Sequence, residues 1–261
     1  QNPNTPYKIA PKSHHYLLFY SMKLFFANGG SDCYVVSVGG YNDEITQSRL
    51  TEGIQTLVKV PEPTILVIPD AVLLEQQECY ALQRAMLSHC ASQRNRITIL
   101  DIFDGYKERA TGVDVITAFR MGIGSEHLQW GAAYYPWVET TIVSPFDVNF
   151  TNIDNSYIMA FIGLLQEYLE LQVKDGLLKQ TQADDINAVI ERLRPTKVSQ
   201  SEKAGKEDTG KPPLKEEIHQ TLLATHPLYK EIMQSVRAHL NLLPPSGGMA
   251  GIYSMIDNTR G

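Results

Sequence analysis

Apolar positions in the first half of the chain alternate between a helical period and short, nearly continuous runs. Leu18, Met22, Phe25 and Phe26 share a helical face within residues 15–27, and Asn28-Gly29-Gly30 then supplies residues tolerant of the left-handed conformation that closes a helix. Cys33-Tyr34-Val35-Val36-Ser37-Val38 follows, β-branched and almost unbroken in apolarity, which predicts a strand covered on both faces. The rhythm then repeats. Leu50, Ile54, Leu57 and Val58 form a helical stripe before the run Thr64–Ile68, and Cys79, Leu82, Met86 and Cys90 form another before Arg96–Asp101. Asp70 is placed to cap the second of these helices. Residues 113–123 predict a helix closed by Gly124, and Gly131–Trp137 a buried strand whose aromatic end is stopped by Pro136. This alternation predicts an α/β fold: a three-layer unit with a mostly parallel sheet of about four strands, flanked by helices.

Beyond Val148 the strand-like runs stop. Ile158, Phe161, Ile162, Leu165, Leu169 and Gln172 line one helix, and Ile186, Val189, Ile190 and Leu193 line a second that ends at Pro195. Residues 196–213 (TKVSQSEKAGKEDTGKPP) carry many charges and almost nothing to bury, which predicts a mobile loop. Helical periodicity returns in Leu214–Thr225 and again after Pro227, through Ile232, Met233, Val236 and Leu240. Pro244-Pro245-Ser246 then opens a final helix, expected to turn Met249, Ile252, Tyr253 and Ile256 inward. The expected organisation is an α/β core of residues 1–148 and 214–261, with 149–213 as a helical insertion ending in the charged loop.

With 261 residues and 43% hydrophobic content, the chain is long enough to bury a sizeable core. Its net charge of −6, with scattered Lys and Arg, gives no basic footprint for nucleic acid. No apolar stretch is long enough to predict a membrane span, and residues 1–12 do not read as a signal peptide. Cys33, Cys79 and Cys90 lack C-x-x-C spacing and are expected as buried free thiols. The chain opens at Gln1 without methionine and stops at Arg260-Gly261, so both ends are expected to continue in a longer protein.

Reactive constellations are scarce. Asp70, Asp101 and Asp104 fall at strand ends, where open α/β sheets bind ligands, and so offer a metal or phosphoryl site as one reading; helix caps and turns are the other. The pairs Gly29-Gly30, Gly39-Gly40 and Gly247-Gly248 form no G-x-G-x-x-G or phosphate loop, although Gly39-Gly40 does follow a strand-like run. Small residues in Ser246–Gly251 suit either an anion at a helix N-terminus or close backbone packing. His14-His15, His89, His219, His226 and His239 match no ligand spacing, and no serine sits in a G-x-S-x-G elbow. The expectation is therefore no catalytic, cofactor-binding or metal-binding residue, and no cofactor. Tyr134, Tyr135 and Trp137 are expected to pack in a core or an interface.

Several of these segments together resemble the contractile tail sheath proteins of phage tails and phage-tail-like injection systems, including type VI-like systems. The segment Tyr20–Gly30 with Cys33–Val38 resembles that family's helix–glycine–strand entry, Pro63–Asp70 its second strand, and Ala132-Ala133-Tyr134-Tyr135-Pro136-Trp137 a more specific signature. Leu243-Pro244-Pro245-Ser246-Gly247-Gly248-Met249-Ala250-Gly251, with the closing Asp257–Gly261, is similar to its later signature. The likeness covers roughly residues 14–145 and 214–261; the family's terminal arms, which exchange strands between subunits, have no counterpart here.

The resemblance implies a structural, non-catalytic subunit that polymerises helically around an inner tube and contracts to drive the tube through a target envelope. Its implied partners are copies of itself, the inner tube protein, and baseplate and terminal cap components, with no nucleic acid and no direct membrane insertion. Assembly would take place in a bacterial cytoplasm, within a virion or an injection particle. Tyr134, Tyr135, Pro136, Trp137, Pro244, Pro245, Gly247, Gly248 and Arg260 are then the candidate packing or interface residues. An α/β enzyme or nucleotide-binding domain using the strand-end acids stays open as the alternative, as does a cap or adaptor of the same particle.

Overall fold

The computed structural model describes residues 7–10, 16–109, 114–195 and 214–260, with backbone alone at Leu214. In chain order its first elements are α1 (Leu18–Ala27), α2 (Gln47–Thr56), β1 (Ile65–Val67), α3 (Gln76–Gln93), β2 (Ile97–Asp101), α4 (Val115–Ile123), β3 (Gly131–Tyr134) and β4 (Val138–Glu139). Four helices follow: α5 (Ile158–Lys174), α6 (Gln180–Glu191), α7 (Leu214–Thr225) and α8 (Pro227–Leu240). The chain closes with β5 (Leu242–Leu243) and α9 (Ser246–Arg260). Two compact units result: residues 10–142 with 240–261, and residues 1–9 with 143–239.

The first unit has the expected α/β architecture, with a smaller sheet. Its parallel strands run in the order β1-β2-β3, and β4 pairs antiparallel with β5 in a separate ribbon. Strand periodicity assigns the two faces of the main sheet. Leu66 and Leu100 point into the apolar cluster built by α2, α3 and α4, where Cys79, Leu82, Met86 and Cys90 are at most 1% exposed. Ile99 and Asp101 are buried on the opposite face, where Asp101 meets the first residue of α9. Thr98, fully buried, donates from Oγ1 to the Leu66 carbonyl at 3.0 Å and so ties β2 to β1.

Several expectations need correction. Residues 33–38 belong to no strand: Tyr34 is 60% exposed, Val35 55%, and Cys33 is exposed where a buried thiol was expected. Only Val36 and Val38 turn inward, toward Gly53 of α2. The expected strand over Gly131–Trp137 stops at Tyr134 and is a half-buried edge. Asp70 caps a different helix, accepting from the Leu17 N–H at 2.5 Å, at the start of α1. Helix α1 buries Ser21 and Leu24, with Leu17 buried just before its first residue, while Phe26 is 51% exposed. Helix α9 buries Gly247, Gly248, Ala250 and Gly251, and leaves Ile256 outside.

The second unit is helical. Ile158, Phe161, Ile162, Leu165 and Leu169 of α5 and Ile186, Ile190 and Leu193 of the α6 region are buried, as the stripes predict. Residues 214–239 group with these helices, not with the α/β core to which their sequence position assigned them. Buried polar groups supply the reason. The Tyr229 hydroxyl lies 2.7 Å from His219 Nδ1, and its ring packs 6.0 Å from that of Phe161. His226 Nδ1 accepts from the Tyr229 N–H at 3.2 Å, so its Nε2–H donates to the Leu165 carbonyl at 3.1 Å. The charged loop of residues 196–213 lies outside the described residues.

Candidate functional site

Asp101 closes β2, and Ser246 opens α9. The Ser246 N–H donates to Asp101 Oδ1 at 2.9 Å, while the Ser246 hydroxyl donates to Oδ2. A carboxylate at a helix N-terminus completes backbone donors that the helix leaves unpaired. Burial nonetheless dominates and pushes the Asp101 carboxyl up to about 7, against the two Ser246 hydrogen bonds that pull it down. Gln83 of α3 donates to the Asp101 carbonyl at 2.6 Å, so strand end and helix start are fixed from both sides.

The aromatic segment joins the same place. Tyr134 pairs in register with Asp101, and its hydroxyl meets that of Tyr253 on α9. The Tyr135–Pro136 peptide is cis, and Pro136 is exposed. Tyr135 donates from its hydroxyl to the Lys107 carbonyl at 2.8 Å. Trp137 donates twice into the loop after β2: Nε1–H to the Ile102 carbonyl and its backbone N–H to the Gly105 carbonyl, each at 3.0 Å. Its indole packs edge-on to Tyr106, with ring centroids 5.3 Å apart. Val138 then pairs with Leu243, so the two candidate segments become neighbouring strands. Leu243 joins Leu17, Leu24 and Val72 in a small buried cluster against which Trp137 packs.

Pro244 and Pro245 are buried between that ribbon and α9. Proline ends the strand pairing and sets the backbone for a helix start. Gly247 then crosses α1 so closely that an added Cβ would stand 2.6 Å from the Ser21 carbonyl oxygen. Gly251 meets the Phe25 carbonyl in the same way one turn later. Close packing, the second of the two readings for this segment, accounts for both glycines. Of the nine candidate residues, eight thus fall within or beside one joint. Arg260 does not: it is exposed in the last turn of α9 and makes no ion pair among the described residues.

The strand-end acids have separate partners. Asp101 holds Ser246, Asp70 holds Leu17, and Asp104 pairs with Lys107 at 2.5 Å. Among the described residues, no three His, Cys, Asp or Glu side chains come close enough together to hold a metal ion. No described helix is long and apolar enough to cross a membrane.

Sequence reasoning missed Arg96. Its guanidinium, on a residue only 2% exposed, donates to the carbonyls of Leu57 at 3.3 Å and Val60 at 2.7 Å and lies 3.4 Å from His89 Nε2. The signal was its place at the head of a buried strand, where a charge needs an unusual reason.

No protein-family model matches this chain, and no curated protein matches it in sequence.

Proposed function

We propose that this chain is the α/β core of a structural subunit, one that packs against copies of itself in a contractile tail sheath. The observation that carries the reading is the joint itself. Two of the segments bearing the sheath resemblance lie far apart in the chain, yet they build one interlocked unit in which Val138 pairs with Leu243. The polar groups of that joint are occupied in holding elements together: Asp101 on Ser246, Trp137 on Ile102 and Gly105, and Tyr135 on Lys107. A subunit that must move as a rigid body between two packings needs this kind of internal locking. Heterologous, non-closing contacts between such subunits generate helical tubes.

Negative-stain electron microscopy of the gene product carrying this sequence tests the proposal. Hollow tubes with a helical surface repeat are expected. Dispersed particles under all conditions, together with magnesium- or nucleotide-dependent thermal stabilisation that Asp101→Asn abolishes, would favour the enzyme alternative instead.

A further inference from the structure

Two buried histidines of the helical unit are placed to be neutral. His226, 1% exposed, stands before α8 with both ring nitrogens engaged: Nδ1 accepts from the Tyr229 N–H, and Nε2–H donates to the Leu165 carbonyl of α5. A proton added at Nδ1 would set N–H against N–H and uncap the helix. His219 of α7 is 2% exposed. Its Nδ1 lies 2.7 Å from the Tyr229 hydroxyl, to which the Phe150 backbone N–H already donates. The hydroxyl proton therefore goes to Nδ1, and the ring's own proton sits on Nε2, a buried atom without a hydrogen-bond partner among the described residues. Charging this ring would leave a cation in a site that cannot solvate it.

The surroundings do little to offset such a charge. Tyr168 of α5, its ring centroid 5.2 Å from that of His226, and Tyr229 of α8, 5.8 Å from His219, are the titratable groups packed on the two rings. Glu216, nearly one turn before His219 on α7, favours its protonation, but burial outweighs it. No charged group acts on His226 among the described residues, and burial lowers its proton affinity too. The other charges of the neighbouring elements are exposed: Glu167 and Glu170 on α5, Arg192 on α6 with Glu217 of α7 3.9 Å away, Lys230 on α8, and Asp147 before Phe150.

We infer that His219 and His226 together form an acid-released latch: on mild acidification α7 and α8 part from α5 while the α/β unit keeps its fold. A ring held neutral in the fold, and free to protonate once released, contributes stability above about 6.5 and loses it below. Each such ring raises the opening constant by up to about tenfold per pH unit under that value, and two acting together by up to about a hundredfold. Asp101, in the α/β unit, responds in the opposite sense, so acid loosens one unit and not the other. Release uncovers apolar surface hidden at neutral pH, including Phe161 of α5 and Tyr229 of α8, whose rings pack 6.0 Å apart. The inference concerns the helical unit alone and stands whether or not the chain builds a sheath.

Amide hydrogen exchange of the full chain, resolved by peptide and corrected for the intrinsic effect of pH, tests it at about pH 7 and about pH 5, on either side of the free histidine value. Peptides from α7 and α8 are expected to lose protection at least tenfold in acid, while those from α3 and β2 change less than twofold. The double variant His219→Gln/His226→Asn, which keeps an acceptor at each site and leaves the exposed His239 in place, is expected to show no such loss. Nuclear magnetic resonance of the wild-type chain with labelled histidine rings asks the same question without a substitution. The His219 and His226 rings are expected to charge only over the pH range in which α7 and α8 lose protection. Full protection of both helices at the lower pH overturns the inference, as does an acid loss in the double variant equal to that of wild type. So does either ring charging while both helices remain protected.

Discussion

Gly247 and Gly163 show how one residue type answers to two different constraints. A Cβ at Gly247 would lie 2.6 Å from the Ser21 backbone oxygen, whereas one at Gly163, exposed on α5, would meet nothing within 4 Å. Replacing helical glycine by alanine gains up to about 1 kcal/mol of propensity. Overpacking against a fixed backbone costs about 1–3 kcal/mol. Gly163→Ala is therefore expected to raise the urea midpoint and Gly247→Ala to lower it; equal effects would contradict the close crossing of α1 and α9. Asp101 makes a second residue-scale prediction. Its carboxyl holds a proton up to about 7 in the folded chain and releases it near 4 when unfolded. The folded state then binds more protons between those values, so stability from this group falls as pH rises from about 4 to about 7. Asp101→Asn removes that dependence, and its stability relative to wild type should climb across the window. A constant difference between the two proteins would refute the assignment.

Elements were legible where side chains alone decide them. Strands β1 and β2 are β-branched runs, and the α3 and α5 stripes fall on the helical period and are buried as read. Residues 33–38 have the same composition and no ladder, because a strand requires a partner edge and a local pattern reports only what the side chains prefer. The inward face of α9 was misread for a related reason. Apolar size marks a core stripe, but this helix buries its smallest residues, since contact there is between backbones. The Asp101–Ser246 clamp spans 145 residues, a separation no local spacing signals. Helix α8 offers an element-scale test. His226 stands at its N-cap, before Pro227, and caps it through an unprotonated Nδ1. Burial holds His226 below its ordinary value near 6.5, so its contribution is complete above that value and is lost as pH falls below it. His226→Asn keeps a capping acceptor without the charge. It should cost about 1 kcal/mol at pH 7 through the lost Leu165 bond and progressively less toward pH 5. A penalty that grows on acidification would exclude the capping role.

At the scale of the molecule, the α/β unit is a small parallel sheet with helices on both faces, closed at its carboxyl end by the joint of β3, the β4–β5 ribbon and α9. Fold class followed from the alternation of periods. The grouping of 214–239 with the helical unit did not, because it depends on where His219, His226 and Tyr229 find partners. The sheath reading makes this unit a repeating brick whose value lies in its contacts with other copies, and that is the central claim. Immunogold electron microscopy tests it most directly, using antibodies against residues 149–195 on particles purified from cells that express the gene product. Label along the whole length of tubular particles, at regular axial spacing, is the predicted result; label confined to particle ends, or absent from particles altogether, would contradict it.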